Sequence, residues 1–253
     1  MRSDTDLSFD QATKLVPRLE VLDSVESTNS YMATRLFWEP FSLVLTLSQT
    51  LGRGRLGRSW ESSPGEAIAF SLLVPADLSN VSEGLPTSWI PLIAGACLVD
   101  AVRESGVNSG EMKWPNDVLV KDKKLAGILC EHQTSGQVIV GVGINLQFHG
   151  EPPTENAIAL FDACSNVPPT PDSLLAGFVE RMIGIWSSSP EEIKSFVLAR
   201  LGTIGREVVV APALGGAWQG KAESLDRQGS LMVRRPSGEL TTVSASDVYH
   251  LHQ

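Results

Sequence analysis

The sequence is short of the features that mark secreted and membrane proteins. Its 253 residues contain three cysteines, widely spaced at Cys97, Cys130 and Cys164, so neither a full set of internal disulfides nor a CxxC metal pair is available. The polar start lacks the apolar core of a signal peptide, and no run of about 18 apolar residues is present to span a bilayer. We therefore expect a cytoplasmic protein that does not enter a membrane.

Positive charge is also scarce. The chain has 20 Lys and Arg against 29 Asp and Glu, a formal net charge of -9, whereas a surface that binds nucleic acid is basic. This balance argues against nucleic acid as the main partner. The hydrophobic fraction of 42% and the charged fraction of 19% are those of an ordinary globular protein. The length suffices for one large domain, with or without a small one.

The positive charge gathers in one stretch, GRGRLGRSW at residues 52–60. Its glycines permit positive φ angles and a close backbone approach to a ligand, and its arginines are planar, permanently charged donors for phosphate or carboxylate oxygens. A predicted strand precedes the stretch, and loops at strand ends often carry binding sites. The stretch is also typical of a solvated Arg-Gly loop or a nonspecific nucleic-acid contact, so these alternatives stay open on this segment alone.

Apolar patterning predicts a sheet and its helices. We predict strands at 16–25, 41–48, 67–74, 118–120, 124–131 and 137–146. We predict helices at 31–37, after the capping residues 27–30, at 89–102, ended by Gly106, and at 172–188 and 190–201. The proline-rich segment 149–171 is predicted to be a surface excursion. Because strands follow one another through the middle of the chain, we expect a largely antiparallel sheet.

The pattern changes near residue 203. Short β segments at 208–211, 217–225, 230–235 and 240–243 alternate with turns that contain Gly, Asp or Pro, which is typical of a small barrel. We therefore predict two domains, 1–203 and 204–253.

Several polar residues admit both a structural and a functional interpretation. Ser27, Thr28 and Asn29 are helix-capping types, yet a helix N-terminus also binds polar ligands. Lys124 lies in a predicted lysine-rich turn, where it is either solvated or a ligand contact. The four histidines show no zinc-ligand spacing, so no residue is assigned as a metal ligand.

Four segments, taken in order, resemble those of biotin protein ligases. They are STN at 27–29, Gln49 with GRGRLGRSW at 52–60, KWPND at 113–117 with KLAGIL at 124–129, and VGVGIN at 140–145. Each segment alone is a weak signal, but the ordered set is specific and extends roughly over residues 20–146. Leu51 departs from the alanine that the family more often has there, which affects only how the loop packs.

The resemblance implies a fold. It predicts the α+β class, with a mixed sheet and helices like those of class II aminoacyl-tRNA synthetases, followed by a small SH3-like β-barrel. Some members of the family carry an N-terminal helix-turn-helix and act as repressors. The segment before the first predicted strand is too short for that domain, so we expect the ligase-only form and no sequence-specific binding of nucleic acid.

The resemblance also implies an activity. Biotin and ATP would form biotinyl-5'-AMP, with Mg²⁺ present, and the biotin would pass to a lysine of a biotin carboxyl carrier domain in a biotin-dependent carboxylase. We expect a cytoplasmic monomer or homodimer with no membrane partner. A lipoate-type ligase of the same fold and a non-catalytic protein that binds a small anion are the alternatives.

The resemblance assigns site residues by position. The catalytic residues are predicted to be Lys124, Asp117 and Arg55. The biotin-binding residues are predicted to be Ser27, Thr28, Asn29, Gln49, Gly52, Arg53, Arg55, Trp60, Lys124 and Gly127. The nucleotide-binding residues are predicted to be Arg53, Arg55, Arg58, Trp60, Asn116, Lys124 and Asn145. Trp60 is alternatively a core residue that ends the loop, and Asp117 a turn former after Pro115-Asn116.

Overall fold

The computed structural model of the chain describes residues 8–35, 37–77, 84–164, 167–212, 215–244 and 246–251. The strands of its N-terminal part are β1 (Leu19–Leu22), β2 (Leu43–Thr46), β3 (Gly52–Arg53), β4 (Ser59–Trp60), β5 (Ala67–Pro75), β6 (Gly110–Lys113), β7 (Asp117–Val120), β8 (Lys123–His132) and β9 (Gln137–Asn145). In these residues one seven-stranded sheet has the order β1-β2-β5-β9-β8-β7-β6, and β3 pairs separately with β4. Only β1 and β2 pair in parallel, so the predicted largely antiparallel sheet is confirmed.

Helices cover both faces of this sheet. They are α1 (Asp10–Thr13), α2 (Thr28–Ala33), α3 (Ile90–Glu104), α4 (Leu160–Ala163), α5 (Pro171–Ile185) and α6 (Pro190–Leu198). The apolar helix α3 is buried along most of its length and packs on one face together with α5. On the other face, Met32 of α2 joins a smaller apolar cluster with Val44, Leu73 and Ile139. The central strands β5 and β9 are therefore buried on both sides, and the continuous apolar run of β5 is typical of such a strand.

Several predicted elements have the wrong bounds. The helices predicted at 172–188 and 190–201 end earlier, at Ile185 and Leu198. The first strand is limited to β1 rather than 16–25. The predicted helix 31–37 begins earlier, at Thr28, because Ser27 is its N-cap and accepts the N–H of Ser30, while Leu36 lies outside the described residues. Segment 149–171 is not wholly a surface excursion, since it contains α4, whose Leu160 is buried in the core.

The C-terminal part forms a second sheet. Its strands are β10 (Glu207–Pro212), β11 (Trp218–Leu225), β12 (Leu231–Arg234), β13 (Leu240–Val243) and β14 (Ser246–His250). They are all antiparallel, in the order β13-β12-β11-β10-β14. The sequence patterning missed β14. A mixed sheet with helices followed by a small β domain confirms the predicted α+β class.

Two tryptophans of the N-terminal part contact the C-terminal part. Trp114 donates its indole N–H to the carbonyl of Gly229 (3.0 Å), and Trp89 donates its own to the carbonyl of Arg227 (3.0 Å). Trp114 directly follows β6, so the C-terminal part is anchored next to the predicted KWPND segment. Among the described helices, none has the length and apolar character needed to cross a membrane.

Candidate active site

A cavity of about 400 Å³ opens on the sheet where the four predicted segments meet. The predicted site residues that line it are Ser27, Thr28, Asn29, Gln49, Arg53, Arg55, Arg58, Trp60, Asn116, Asp117, Lys124 and Gly127. Two predicted residues, Gly52 and Asn145, are not among its lining residues. The chain thus brings together side chains that are about 100 residues apart in sequence, such as Asn29 and Leu129.

One end of the cavity is neutral and polar. Thr28 donates its backbone N–H to Gln49 Oε1 (2.9 Å), and its hydroxyl lies 3.3 Å from the same oxygen. Ser71, a buried residue of β5, places its hydroxyl 2.8 Å from Thr28 Oγ1 and 2.6 Å from Asn29 Oδ1. Thr28 and Asn29 are almost fully buried. These contacts fix the directions of the donors and acceptors that a ligand would meet.

Asn29 is held on its amide nitrogen as well. Its Nδ2 donates to the carbonyl of Leu129 (3.2 Å) and to Glu131 Oε2 (2.8 Å). A Cβ at Gly141 would lie 2.2 Å from Asn29 Oδ1, so the glycine leaves room for the amide. The sequence analysis missed both Ser71 and Glu131. Ser71 carried a signal, because it is the single hydroxyl in the buried run 67–74.

Two glycines form the floor of the cavity. Gly127 of β8 and Gly143 of β9 are direct cross-strand partners, and the indole of Trp60 lies against them. A Cβ at Gly143 would lie 2.5 Å from Trp60 Cε2, and one at Gly127 would lie 3.3 Å from Trp60 Cζ3. Trp60 Nε1 is buried and has no hydrogen-bond partner in the described part of the chain. Trp60 therefore lines the cavity instead of filling the core.

The Gly-Arg stretch folds over this floor as the β3–β4 hairpin. Its turn places Leu56 at φ 57° and Gly57 at φ 75°, and the N–H of Gly54 bonds to the carbonyl of Arg58 (2.6 Å). Gly52 supports the hairpin from outside the lining, since a Cβ there would lie 2.3 Å from the Trp60 carbonyl. The stretch thus forms a hairpin beside the cavity, and residues 56–59 at its turn are exposed.

The arginines of the hairpin lie at different ends of the cavity. Arg53 Nη2 lies 3.0 Å from Glu131 Oε2 and 3.0 Å from Ser30 Oγ, at the neutral end. Arg55 Nη1 donates to Asn116 Oδ1 (3.3 Å). Asn116 is itself fixed, because its Nδ2 donates to the carbonyl of Ile128 (2.7 Å).

The charged end of the cavity is built around an ion pair. Lys124 Nζ lies 2.7 Å from Asp117 Oδ1, with the two side chains 39% and 21% exposed. The ammonium is 5.8 Å from the centre of the Trp60 ring. Lys124 is thus a lining residue and not a solvated turn lysine. Asn145 lies behind it, where its Nδ2 is 3.3 Å from the Lys124 carbonyl, and so supports the strand that carries the lysine.

The C-terminal sheet also reaches the cavity, through Val248 and Tyr249 of β14. Lys113 Nζ is 5.4 Å from the centre of the Tyr249 ring. Near this junction, Arg206 pairs with Glu111 (2.7 Å) and Asp122 (2.9 Å), and burial raises the pKa of the Glu111 carboxyl. Glu111, Asp122 and His250 are close enough to suit a metal ion, but Arg206 is already paired with both carboxylates.

A neutral, hydrogen-bonding pocket joined to a charged end under an arginine hairpin is suited to a ligand that is neutral and polar at one end and anionic at the other. Residues 21–147 match the Biotin/lipoate A/B protein ligase family, and residues 203–251 match the Biotin protein ligase C terminal domain. The chain belongs to the biotin/lipoate A/B protein ligase family, and its second match groups it with the biotin protein ligases. The resemblance inferred from the residues is confirmed.

Individual relatives agree with this assignment. The chain is 35% identical over 209 residues to the biotin–[acetyl-CoA-carboxylase] ligase of Mycobacterium tuberculosis, covering 80% of this chain and 76% of that protein. It is 28% identical to the ligase of the same name from Paracoccus denitrificans, covering 81% and 89%. A solved structure of biotin protein ligase from Aquifex aeolicus, in complex with biotin and ATP, superposes with a TM-score of 0.77 at 24% identity over 94% of this chain and all of that one. The last comparison confirms the predicted fold.

Proposed function

We propose that this protein is an ATP-dependent biotin protein ligase, which forms biotinyl-5'-AMP from biotin and ATP and then transfers biotin to a specific lysine of a carrier domain. The observation that carries the proposal is the cavity itself: a neutral hydrogen-bonding end and a Lys124–Asp117 ion pair lie on one glycine floor. Biotin has the matching chemistry, a neutral ureido ring at one end and a carboxylate at the other. Its length would carry the carboxylate from the first end towards the second.

The neutral end is proposed to bind the ureido ring. A buried neutral ring needs paired neutral donors and acceptors, which Ser27, Thr28, Asn29 and Gln49 supply. Gln49 accepts from Thr28 through Oε1, which leaves its amide nitrogen as a donor for the ring carbonyl. The glycine floor and Trp60 would enclose the apolar part of the ligand.

The first chemical step joins two anions. A carboxylate oxygen of biotin attacks the α-phosphorus of ATP, the new O–P bond forms as the bond to the leaving group breaks, and pyrophosphate departs. The protein must reduce the repulsion and hold the attack geometry. We assign this work to Lys124, which would bridge the carboxylate and the α-phosphate, and to Arg55 and Arg58 of the hairpin.

The second step uses the partner of Lys124. The amine of the acceptor lysine attacks the carbonyl carbon of the anhydride, an amide bond forms, and AMP leaves. The amine must lose a proton, and we assign its acceptance to the carboxylate of Asp117, which lines the cavity. Because Asp117 and Lys124 are paired at 2.7 Å, the two steps are proposed to share one site.

Mg²⁺ is proposed to enter with the phosphates of ATP. A hard cation prefers oxygen ligands, and Asn116 and Asp117 are two of the lining residues that would offer them. When bound, the ion would neutralise phosphate charge. Asn145 would act on this end indirectly, through the strand of Lys124.

The remaining assignments concern partners and organisation. The acceptor is proposed to be a biotin carboxyl carrier domain of a biotin-dependent carboxylase, in keeping with the names of the relatives. The division into a catalytic domain 1–203 and a barrel domain 204–253 is proposed on the separation of the two sheets. A cytoplasmic location, a monomer or homodimer, and the lack of sequence-specific nucleic-acid binding stay predictions from the sequence.

Pyrophosphate release tests the proposal. Purified protein with ATP and Mg²⁺ is supplied with biotin or with lipoate, and the biotin reaction is then completed with a carrier domain. We expect release with biotin and incorporation of biotin into the carrier. Faster release with lipoate would identify a lipoate-type ligase, and binding without release would identify a non-catalytic protein that binds a small anion.

A further inference from the structure

A single carboxylate oxygen joins three elements around the neutral end of the cavity. Glu131 Oε2 accepts from Asn29 Nδ2 at 2.8 Å and from Arg53 Nη2 at 3.0 Å. Glu131 lies on β8, Asn29 on α2 and Arg53 on β3. The same Arg53 nitrogen also reaches Ser30 Oγ on α2 (3.0 Å). The contact therefore ties the arginine hairpin to the helix that carries the ring-binding residues.

Glu131 acts from behind the residues that would touch the ligand. It is not among the lining residues of the cavity, whereas Asn29 and Arg53 are. Its side chain is 30% exposed and that of Arg53 is 47% exposed, while Asn29 is almost fully buried. The carboxylate thus connects a buried amide to a guanidinium at the mouth of the cavity.

The position of Arg53 separates it from the phosphate chemistry. Arg55 bonds to Asn116 near the Lys124–Asp117 pair, but Arg53 is held at the opposite, neutral end. An arginine paired with a carboxylate has its charge already compensated. The same pairing holds the hairpin against the neutral end of the cavity.

We propose that Glu131 is a positioning residue for biotin. It fixes the amide of Asn29 for the ureido ring and holds Arg53 across the mouth, so that bound biotin leaves slowly. Arg53 accordingly acts as a latch at the ring end instead of a nucleotide ligand. The inference rests on the proposed function, since it takes the neutral end to be the biotin end.

The expected effect on biotin release follows from the partial exposure of the Arg53–Glu131 ion pair. A partly exposed ion pair is screened by solvent and is worth about two- to five-fold in an equilibrium or rate. Salt should weaken it further, since the Debye length falls from about 10 Å at 0.1 M to about 3 Å at 1 M. A purely structural role for Glu131 would not give this salt dependence.

The test uses Glu131→Gln, Arg53→Met and the double variant of the full chain. The dissociation rate of radiolabelled biotin is measured at low and high salt, and the KM for ATP is measured in parallel. At low salt, we expect each single variant to release biotin about two- to five-fold faster than the parent. The double variant should release it no faster than the single variants. At high salt, the difference between the variants and the parent should be small. The KM for ATP should not change.

Two further variants keep the result interpretable. Arg53→Lys retains a cation beside Glu131 and should release biotin at nearly the parental rate. Glu223→Gln removes the partner of Arg234 in an exposed ion pair of the C-terminal sheet, and should leave biotin release unchanged. The proposal is overturned if Glu131→Gln releases biotin at the parental rate, or if Arg53→Met raises the KM for ATP with no change in biotin release. A parent protein that binds no biotin would instead refute the proposed function.

Discussion

Replacing Lys124 and Asp117 separately and together tests the division of labour in the charged end of the cavity. Lys124→Ala removes the cation that would bridge the biotin carboxylate and the α-phosphate. Losing one preorganised charge in an active site typically costs about 3–4 kcal/mol, or roughly 10²–10³ in rate. We expect that loss in adenylate formation. Transfer from supplied biotinyl-5'-AMP should suffer less, because the anhydride already exists.

The 2.7 Å ion pair adds a second expectation. Without Lys124, the Asp117 carboxylate is left unpaired beside two incoming anions. Like charges about 4 Å apart repel by about 4 kcal/mol at an effective dielectric constant of 20, and solvent screening at this partly exposed pair reduces that figure. The double variant with Asp117→Asn should therefore recover about tenfold of the adenylation rate, or ~1.4 kcal/mol.

Both half-reactions are measured for each variant. Pyrophosphate release reports the first step, and incorporation of biotin from synthetic biotinyl-5'-AMP into a carrier domain reports the second. Asp117→Asn alone should mainly slow the second step. Lys121→Ala, at an exposed turn position, serves as the matched control and should affect neither. The reasoning is refuted if Lys124→Ala forms adenylate at a near-parental rate, or if both substitutions slow both steps in the same proportion.

Three further predictions concern the floor, the cover and the thiols. Gly143→Ala should weaken biotin binding in calorimetry at least tenfold, about 1.4 kcal/mol, because its Cβ would lie 2.5 Å from Trp60 and displace the indole that lines the cavity. Unchanged affinity would show that the position of Trp60 does not matter for biotin. Biotin and ATP together should protect the hairpin at 52–60 from limited proteolysis, and equal cleavage with and without them would contradict a cover. Burial raises the pKa of Cys97, Cys130 and Cys164. Iodoacetamide at pH 8 should therefore label the native protein more slowly than the urea-unfolded chain. Equal labelling rates would contradict this prediction.

The elements that the sequence predicted best are those with continuous apolar runs. β5 and α3 were found close to their true bounds, because a strand or helix buried on most sides shows its burial in composition alone. Helix α2 was placed too late, since Ser27 and Thr28 are equally good capping types and only the bond from Ser30 shows which of them is the cap. Strand β14 was missed because it forms by backbone pairing with β10, which leaves no periodic signal.

In the candidate site, too, residues within local motifs were predicted from the sequence, and residues that only the fold brings together were not. Motif positions predicted most of the lining residues, since each motif is local in sequence. The supporting residues were not predicted: Ser71 and Glu131 lie 42 and 102 residues from Asn29, and their role depends on a distance that only the fold determines. The same holds for the arginines of the hairpin, which are two residues apart but contact opposite ends of the cavity.

The two ends of the cavity differ in the interactions that they offer to a ligand: hydrogen bonds between neutral groups at one end and an ion pair at the other. A buried neutral ring is recognised by hydrogen bonds that are costly if left unmade, so Thr28 and Asn29 are held in place by Ser71 and by Glu131 from behind. In the proposed first step two anions approach each other, and Lys124, paired with Asp117 at a partly exposed position, would exchange this partner for them. Between the two ends, the glycine pair of β8 and β9 leaves room for the Trp60 indole, which lies against their backbone and lines the cavity. On the proposed function, rigid support at the ring end and an exchangeable ion pair at the carboxylate end would therefore allow one cavity to hold biotin through both steps.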